Sequence, residues 1–378
     1  MLILVRSANE RGPMPVKSKN ILFLFTAALT AFTTGSLAAQ SEDVVRIIQT
    51  NSAGTNAHLI DPETHEVLAV IEDLPHAHGV AEHPEGLYYY FSNESHSTVD
   101  VVDTRTLEVV ERIPLSGRPN NVAMNRKLRK LYVGIRGGGP YTDVIDIDTH
   151  EVIKTIRMHR GVHNIYVTDD SRWAVASLAP GPSRPQDPSI EIIDTSSDEI
   201  AWGIPVNGLR TRPLAIESNP DGSPRRIFAQ ASEHHGFYVI DWDTREVVDF
   251  ISPPPVPLSQ VNADGRQDGP SHGLEVLADN SAVWDVSRVT SSVYGYSLPD
   301  FEFIGSVHVG LGGGGADWAT STPDGKFLFV AVTGAGETVV VDLERLEVVK
   351  RIPVGHAPKR VHTAIIPADR VEIGSGGR

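Results

Sequence analysis

The chain has 378 residues, with 33 Lys and Arg against 48 Asp and Glu, a net charge of −15 and no cysteine. This acidic balance argues against binding to nucleic acid or to an anionic membrane surface, because phosphate capture needs a basic surface. Without cysteine there are no disulfides, no thiolate zinc sites and no haem c attachment signature. Any metal must be held by His, carboxylate or backbone oxygen.

The first 40 residues are typical of an export signal. Two lysines precede an apolar run, residues 21–32, and the small residues Ser36 and Ala38 follow it. This order is that of a secretory signal, and the apolar run is short for a membrane span, although an uncleaved anchor is the alternative. We interpret residues 1–40 as a signal peptide, with Met14 as a candidate true start. The expected protein is periplasmic or secreted, with no membrane span after signal cleavage.

The stretch 75–114 holds one complete copy of a unit that the rest of the chain repeats. It contains four short runs of β-branched and aromatic character separated by turn formers, at residues 78–82, 87–92, 98–103 and 108–114. A four-strand unit that recurs with a period of about 40 residues is the signature of a propeller blade. The sequence therefore predicts an all-β fold, a β-propeller of four-stranded blades.

Seven copies of the first run can be aligned along the chain. They start at His78, Asn120, His163, Arg212, His272, Asp317 and Lys359. Seven starts predict a seven-bladed propeller in a single domain, residues 41–369, followed by a disordered tail at 370–378. The N-terminal runs lack a first run, which the segment 361–367 supplies. Strands from both termini are thus expected to share one blade and close the ring, leaving no unpaired sheet edge.

An aspartate ends the third run in six of the copies and begins a short polar turn before a Val-rich or Ile-containing fourth run. A carboxylate at this place can accept hydrogen bonds from backbone N–H groups two residues further on. We interpret these aspartates as turn residues, not as catalytic groups.

Two connections are longer than the rest, at residues 178–188 and 252–269. In a propeller both kinds of connection lie on the same face. Loops that lengthen on one face of a repeat array usually mark its binding face, although tolerated decoration is the alternative.

Several stretches resemble the YVTN-type seven-bladed propellers, which are related to surface-layer propellers and, more distantly, to the cytochrome d1 propeller. The matching stretches are IIQTNSAGTN (47–56), TRTLEVVERIPLSGRPNNVAMN (104–125), LYVGIRGG (131–138) and PVGHAPKRV (353–361). The resemblance covers about residues 44–367 and implies the fold. It implies little about function, because propellers carry many unrelated chemistries.

The first residue of each innermost strand is expected at the mouth of the central tunnel, on the face with the long loops. These seven positions, the starts given above, are all polar. His78, His163 and His272 occupy alternate positions, where three imidazoles converging on the axis would hold one divalent metal ion and leave a place for water or substrate. The alternative is a polar rim that is only solvated.

A second set of polar residues is expected above the same mouth, on the connections between second and third runs. It consists of His96, Arg136, Glu233, His234, His235 and Arg288. The cations Arg136, Arg212, Arg288 and Lys359 on one face of an acidic protein would suit an anionic ligand such as a carboxylate.

Two functions remain open at this stage. The first is an exported periplasmic propeller that binds a small molecule, a metal or a partner protein at the long-loop face. The second is a metal-dependent hydrolase, lactonase or lyase that uses His78, His163 and His272. No complete acid/base set can be placed from the sequence, so whether the protein is an enzyme stays open.

Overall fold

In the computed structural model, the described residues are 43–179, 184–261, 269–310 and 315–370. They form strands arranged as seven four-stranded antiparallel sheets, which confirms the predicted seven-bladed, all-β propeller. Two short 3₁₀ segments, Leu258–Gln260 and Ala368–Arg370, are the helical elements of this part of the chain. No helix in it has the length and apolar character needed to cross a membrane. The predicted signal peptide and residues 371–378 of the predicted tail lie outside the described residues.

Strands are numbered in chain order, and blades follow the same order. Blade 1 contains β1 (Val44–Asn51), β2 (Ala57–Ile60), β3 (Val67–Ile71) and the C-terminal β28 (Pro358–Ile366). Blade 2 contains β4 (Ala77–Glu82), β5 (Tyr88–Asn93), β6 (Thr98–Asp103) and β7 (Val109–Pro114). Blade 3 contains β8 (Arg118–Asn125), β9 (Lys130–Gly137), β10 (Tyr141–Asp146) and β11 (Glu151–Arg157).

The remaining four blades have the same order of strands from the axis outward. Blade 4 contains β12 (Val162–Val167), β13 (Trp173–Leu178), β14 (Ile190–Asp194) and β15 (Glu199–Ile204). Blade 5 contains β16 (Thr211–Ser218), β17 (Pro224–Ala231), β18 (Phe237–Asp241) and β19 (Val247–Ile251). Blade 6 contains β20 (Ser271–Val276), β21 (Ala282–Ser287), β22 (Ser292–Ser297) and β23 (Phe303–His308), and blade 7 contains β24 (Ala316–Ser321), β25 (Phe327–Val332), β26 (Glu337–Asp342) and β27 (Glu347–Pro353).

The ring closes through blade 1, as the sequence predicts. β28 pairs antiparallel with β1, and this register places Val44 opposite Ile366 and Ile48 opposite His362. Each innermost strand also packs against the innermost strands of both neighbouring blades. The apolar core lies between blades; Ile48 of blade 1, for example, shares a buried cluster with Tyr89 and Phe91 of blade 2.

The repeated aspartates are turn residues, as expected. Asp61 Oδ1 accepts from the backbone N–H groups of Glu63 at 2.9 Å and Thr64 at 2.8 Å. The same pattern recurs at Asp103, Asp146 and Asp342. These bonds satisfy backbone donors that the strand ladder leaves without a partner.

Each innermost strand carries a β-bulge near the end at which it enters the tunnel. The bulges lie between Ala77 and Val80, Pro119 and Val122, Val162 and Asn164, Thr211 and Leu214, Ser271 and Leu274, Ala316 and Trp318, and Pro358 and Val361. All seven predicted mouth residues fall inside these register shifts. A bulge redirects the side chain of the extra residue, so these positions share a structural reason for turning toward the axis.

Candidate functional site

The mouth of the tunnel is built from the seven bulge residues, and it is a buried polar ring. His78, His163 and His272 are 1 to 3% exposed, and Asn120 and Asp317 are fully buried. Arg212 is also buried, whereas Lys359 is partly exposed. Buried polar groups are costly unless they are paired, so the partners of each residue indicate what the mouth can do.

All three histidines turn Nδ1 toward an oxygen atom. His78 donates to the carboxylate of Glu94, His163 donates to Asn164 Oδ1, and His272 donates to the carbonyl oxygen of Asp317 at 3.2 Å. A neutral imidazole that donates from Nδ1 keeps Nε2 as an acceptor. In all three rings, Nε2 is therefore unprotonated and can accept a hydrogen bond.

The imidazoles are held neutral by their surroundings. Burial lowers the pKa of His78 to about 4, with Arg360 acting in the same direction and Glu94 against it. Burial also lowers the pKa values of His163 and His272 well below their usual value, and nearby arginines add to the effect. At neutral pH these side chains are therefore uncharged hydrogen-bonding groups.

The geometry gives limited support to the predicted metal set. The rings of His163 and His272 are neighbours, with centroids 5.3 Å apart and planes nearly perpendicular. His78 instead faces Glu94. Within the described ranges, no three His, Asp or Glu side chains form a group that could hold a metal ion. The three-histidine site therefore stays a prediction.

Two arginine side chains lie close together on one side of the mouth. Arg212 and Arg288 meet at Gly269, where a Cβ would lie 3.5 Å from one Nη1 and 3.4 Å from the other. Arg288 also pairs with the buried carboxylate of Asp317, to which Thr333 donates as well. These contacts place two guanidinium groups within reach of the same small volume.

Lys359 adds a third cation to this group. Burial lowers its pKa to about 8, with Arg288 acting in the same direction and Asp317 acting to raise it. In the part of the chain that the structure describes, no hydrogen-bond acceptor or carboxylate pairs with the ammonium group. Among the described residues, the mouth thus combines the cations Arg212, Arg288 and Lys359 with the carboxylates of Asp317 and Glu94.

Arg360 crosses the tunnel just beneath the mouth and was not among the predicted site residues. Its side chain is 3% exposed and lies 3.6 Å above the Trp318 ring of blade 7. Its Nη2 donates to Asn120 Oδ1 at 3.0 Å and to Asn164 Oδ1 at 3.1 Å, on blades 3 and 4. The sequence signal was a second basic residue after Lys359, inside a strand predicted to be buried.

The second predicted set divides into two groups. Arg136 and Arg288 belong to the mouth, since Arg136 is close enough to lower the pKa values of Glu94 and Lys359. The remaining members lie outside it. His96 approaches Asn93, His235 bonds Ser287 Oγ at 2.8 Å, Glu233 pairs with Arg210 at 2.6 Å, and His234 bonds Tyr238. Glu233, His234 and His235 also line a separate outer pocket of about 480 Å³.

A tunnel cavity of about 410 Å³ lies along the innermost strands beyond Arg360. Glu82 accepts from Arg126 and from His362 Nε2; burial acts to raise its pKa, but these two partners lower it to about 2. In Glu275, burial prevails and raises the pKa to about 7, although Ser321 donates both its N–H and its hydroxyl. None of these residues was predicted, because they lie toward the ends of the innermost strands and not at the strand starts.

Comparison with known proteins shows the fold. No protein-family model matches the chain, and no curated protein matches it. The solved structure of a functionally unknown protein from Desulfotomaculum acetoxidans DSM 771 aligns with a TM-score of 0.67 and 13% identity, covering 84% of this chain and 98% of that one.

Two other solved structures are similar. Dihydro-heme d1 dehydrogenase NirN in complex with DHE gives a TM-score of 0.61 at 17% identity, covering 87% of this chain and 76% of that one. The Myceliophteria thermophila Cps50 (Swd1) β-propeller domain gives 0.58 at 12% identity, covering 75% and 88%. At these identities the likeness concerns the fold alone, so the YVTN resemblance stays a prediction.

Proposed function

We propose that this chain is an exported β-propeller that binds a small anionic molecule at the mouth of its central tunnel. The observation that carries the proposal is the group of cations around the mouth, Arg212, Arg288, Lys359 and Arg360, which lie with the carboxylates of Asp317 and Glu94. In a low-dielectric site, such groups attract anions more strongly than they would at an exposed surface.

Lys359 gives the clearest argument for an anion. Removing an ammonium group from water costs free energy, and its lowered pKa reports that cost. An anion at the mouth would offset the cost by pairing with the ammonium group, whereas a cation would increase it. The charge of the site thus favours an anionic ligand over a metal ion or an amine.

The similar structure of NirN supports ligand binding by proteins of this fold, since that protein is in complex with DHE. The ligand of the present chain is a separate question, because the likeness extends only to the fold. Its charge is inferred from the mouth residues alone.

The proposal can be tested by titration calorimetry at low ionic strength with acetate, oxalate, phosphate and sulfate. At least one of these anions should bind the wild type and lose affinity in Lys359→Met. Lys326→Met is the matched control, because Lys326 is exposed and pairs with Asp324 away from the mouth. If no anion binds, or if the two variants lose affinity equally, the proposal is wrong.

Export is part of the same proposal and has its own test. After expression of the full chain, cell fractionation should place the protein outside the cytoplasm, and N-terminal sequencing should find a start shortly after Ala38. A cytoplasmic protein that keeps its N-terminus would contradict this part.

The second candidate is the metal-dependent hydrolase, lactonase or lyase. One feature favours it: His78, His163 and His272 each bond an oxygen through Nδ1, the orientation common among metal-ligating histidines. The surrounding cations oppose it. Stoichiometric metal in the purified protein, lost in His163→Ala, would favour this candidate over anion binding, and metal-free protein would reject it.

A further inference from the structure

Three consecutive blades leave buried polar atoms without hydrogen-bond partners near the axis. These atoms are Nε and Nη1 of Arg360, Nδ2 of Asn120 and Nε2 of His78; within the described residues none of them has a partner. Buried groups of this kind are rare in native proteins, because leaving them unpaired costs free energy. Several in one place indicate that something outside the chain pairs with them.

The three residues lie together at the inner edges of blades 1, 2 and 3. Arg360 bonds Asn120 directly at 3.0 Å. The Thr50 hydroxyl lies 2.8 Å from the carbonyl oxygen of His78 and 3.3 Å from that of Arg360, which joins those two backbones. Ser92 joins the backbones of His78 and Asn120. Its hydroxyl donates to the carbonyl oxygen of Asn120 and accepts from the N–H of Gly79, the residue after His78, both at 2.7 Å.

Arg360 and Asn120 call for an acceptor that carries negative charge. A guanidinium has five N–H bonds, and the two on Nη2 point to the acceptors Asn120 and Asn164. The bonds on Nε and Nη1 remain, and Asn120 Nδ2 adds a neutral donor beside them. The Tyr166 hydroxyl is near Arg360, but it already accepts from Asn164 at 3.1 Å and makes no hydrogen bond to Nε or Nη1. A carboxylate is a small acceptor that suits these donors.

His78 calls for a donor at the same place. Its Nδ1 donates to Glu94, so the unpaired Nε2 is an acceptor. An ammonium or a hydroxyl group could donate to it. Arg360 and Lys359 both act to lower the pKa of His78 and would repel an ammonium group; the one carboxylate that acts on this ring, Glu94, lies at the other nitrogen, Nδ1. A neutral hydroxyl meets the requirement without this repulsion.

We infer that the mouth binds a hydroxycarboxylate, with its carboxylate on Arg360 and Asn120 and its hydroxyl donating to His78 Nε2. This inference rests on the proposed function and adds the chemical class of the ligand. Acetate lacks the hydroxyl that would donate to His78 Nε2, and glycine would bring an ammonium group next to Arg360 and Lys359.

The test compares glycolate, acetate and glycine as probes of the whole protein by ligand-observed saturation-transfer NMR, which detects weak binding. Glycolate should bind about tenfold more tightly than acetate, the value of one additional good hydrogen bond. Glycine should bind more weakly than acetate. The ¹⁵N signal of His78 Nε2 should shift with glycolate and not with acetate, a readout that needs no variant.

Variants locate the effect. In His78→Phe the ratio of the two affinities should fall to about one, whereas His150→Phe, in the turn between β10 and β11 and beside Glu111, should keep it. Equal binding of glycolate and acetate, tighter binding of glycine, or an unchanged preference in His78→Phe would overturn the inference. If the anions bind with equal affinity and Lys359→Met still abolishes binding, the proposed function stands and the ligand class is wrong. If neither glycolate nor acetate binds, the ligand class is wrong, and the calorimetry with oxalate, phosphate and sulfate decides the proposed function.

Discussion

The two ends of the tunnel are built from the same seven strands, yet their ionisable groups behave in opposite ways. At the mouth, burial and neighbouring cations keep His78 neutral and lower the pKa of Lys359 to about 8. In the tunnel cavity, burial raises the pKa of Glu275 to about 7. The mouth therefore favours negative charge, whereas in the cavity Glu275 resists acquiring it and Glu82 carries it only because Arg126 and His362 pair with it.

The backbone explains part of this difference. Mouth residues lie in bulges, where the ladder is interrupted and the side chains turn toward the axis. Cavity residues lie further along the strands, after regular pairing has resumed. Arg360 lies between the two regions and lines the cavity while bonding mouth residues. A substitution of Arg360 should therefore affect both the mouth and the cavity, whereas a substitution of a residue in only one of these regions should affect that region alone.

The largest expected effect comes from removing β28, because this strand contributes to both ends and closes the ring. Deleting residues 358–378 removes Lys359 and Arg360 from the mouth, His362 from the cavity, and the pairing with β1. We expect protein that is insoluble or sensitive to protease. A soluble truncation with one cooperative thermal transition would contradict the closed ring.

Lys359→Met should weaken anion binding at the mouth but increase the stability of the protein. The native state holds a charged lysine at a cost below pH 8, so the variant should be more stable at pH 7 by about 2 kcal/mol. Between pH 8 and 10.5 the unfolded wild type holds one more proton than the native state, so wild-type stability rises with pH there. The variant should lose this rise. Urea unfolding at pH 7 and pH 10 measures both effects, and lower stability of the variant at pH 7 would contradict them.

His78→Phe should change the acid side of the stability curve. Between pH 6.5 and about 4 the unfolded chain protonates this histidine and the native state does not, so wild-type stability falls as the pH falls. The variant should lack this contribution, about 2 kcal/mol at pH 5. Urea unfolding at pH 7 and pH 5 measures the difference; an equal pH dependence in the two proteins would count against a buried neutral imidazole.

Glu275→Gln should give the smallest change in stability, and its pH dependence should be opposite to that of His78→Phe, growing as the pH rises. Its raised pKa means that native stability falls as the pH rises from 4.5 to about 7, since the unfolded chain ionises first. The variant should gain about 1 to 2 kcal/mol over the wild type at pH 7 and little at pH 4.5. Thermal unfolding at the two pH values measures it, and a gain at pH 4.5 alone would reverse the proposed contrast between the two ends.

The repeat pattern was sufficient to predict the number of blades, most strand bounds and the closing blade, because turn residues recur at equal places. The first strand of the repeat, predicted from His78, begins one residue earlier, at Ala77. The seven predicted mouth positions were the starts of the innermost runs, and the structure places all seven in bulges of those strands. The sequence could not show that a bulge brings Arg360 to the axis as well, or that His78 pairs with Glu94 from the connection between β5 and β6.

The tunnel cavity was missed for a related reason. Glu82 and Glu275 lie toward the C-terminal ends of β4 and β20, where a polar residue is common at the boundary between a strand and a turn. Their importance depends on partners from other blades, namely Arg126 and His362 for Glu82, and Ser321 for Glu275. Such contacts follow from ring geometry, which spacing along one repeat does not contain.

The most direct test of the anion-binding mouth is a crystal structure of the protein soaked with glycolate. We predict glycolate between blades 1, 2 and 3, with its carboxylate on Arg360 and Asn120 and its hydroxyl on His78 Nε2. A mouth without glycolate at a concentration that saturates binding in solution, or glycolate bound only in the outer pocket beside His234, would contradict the account.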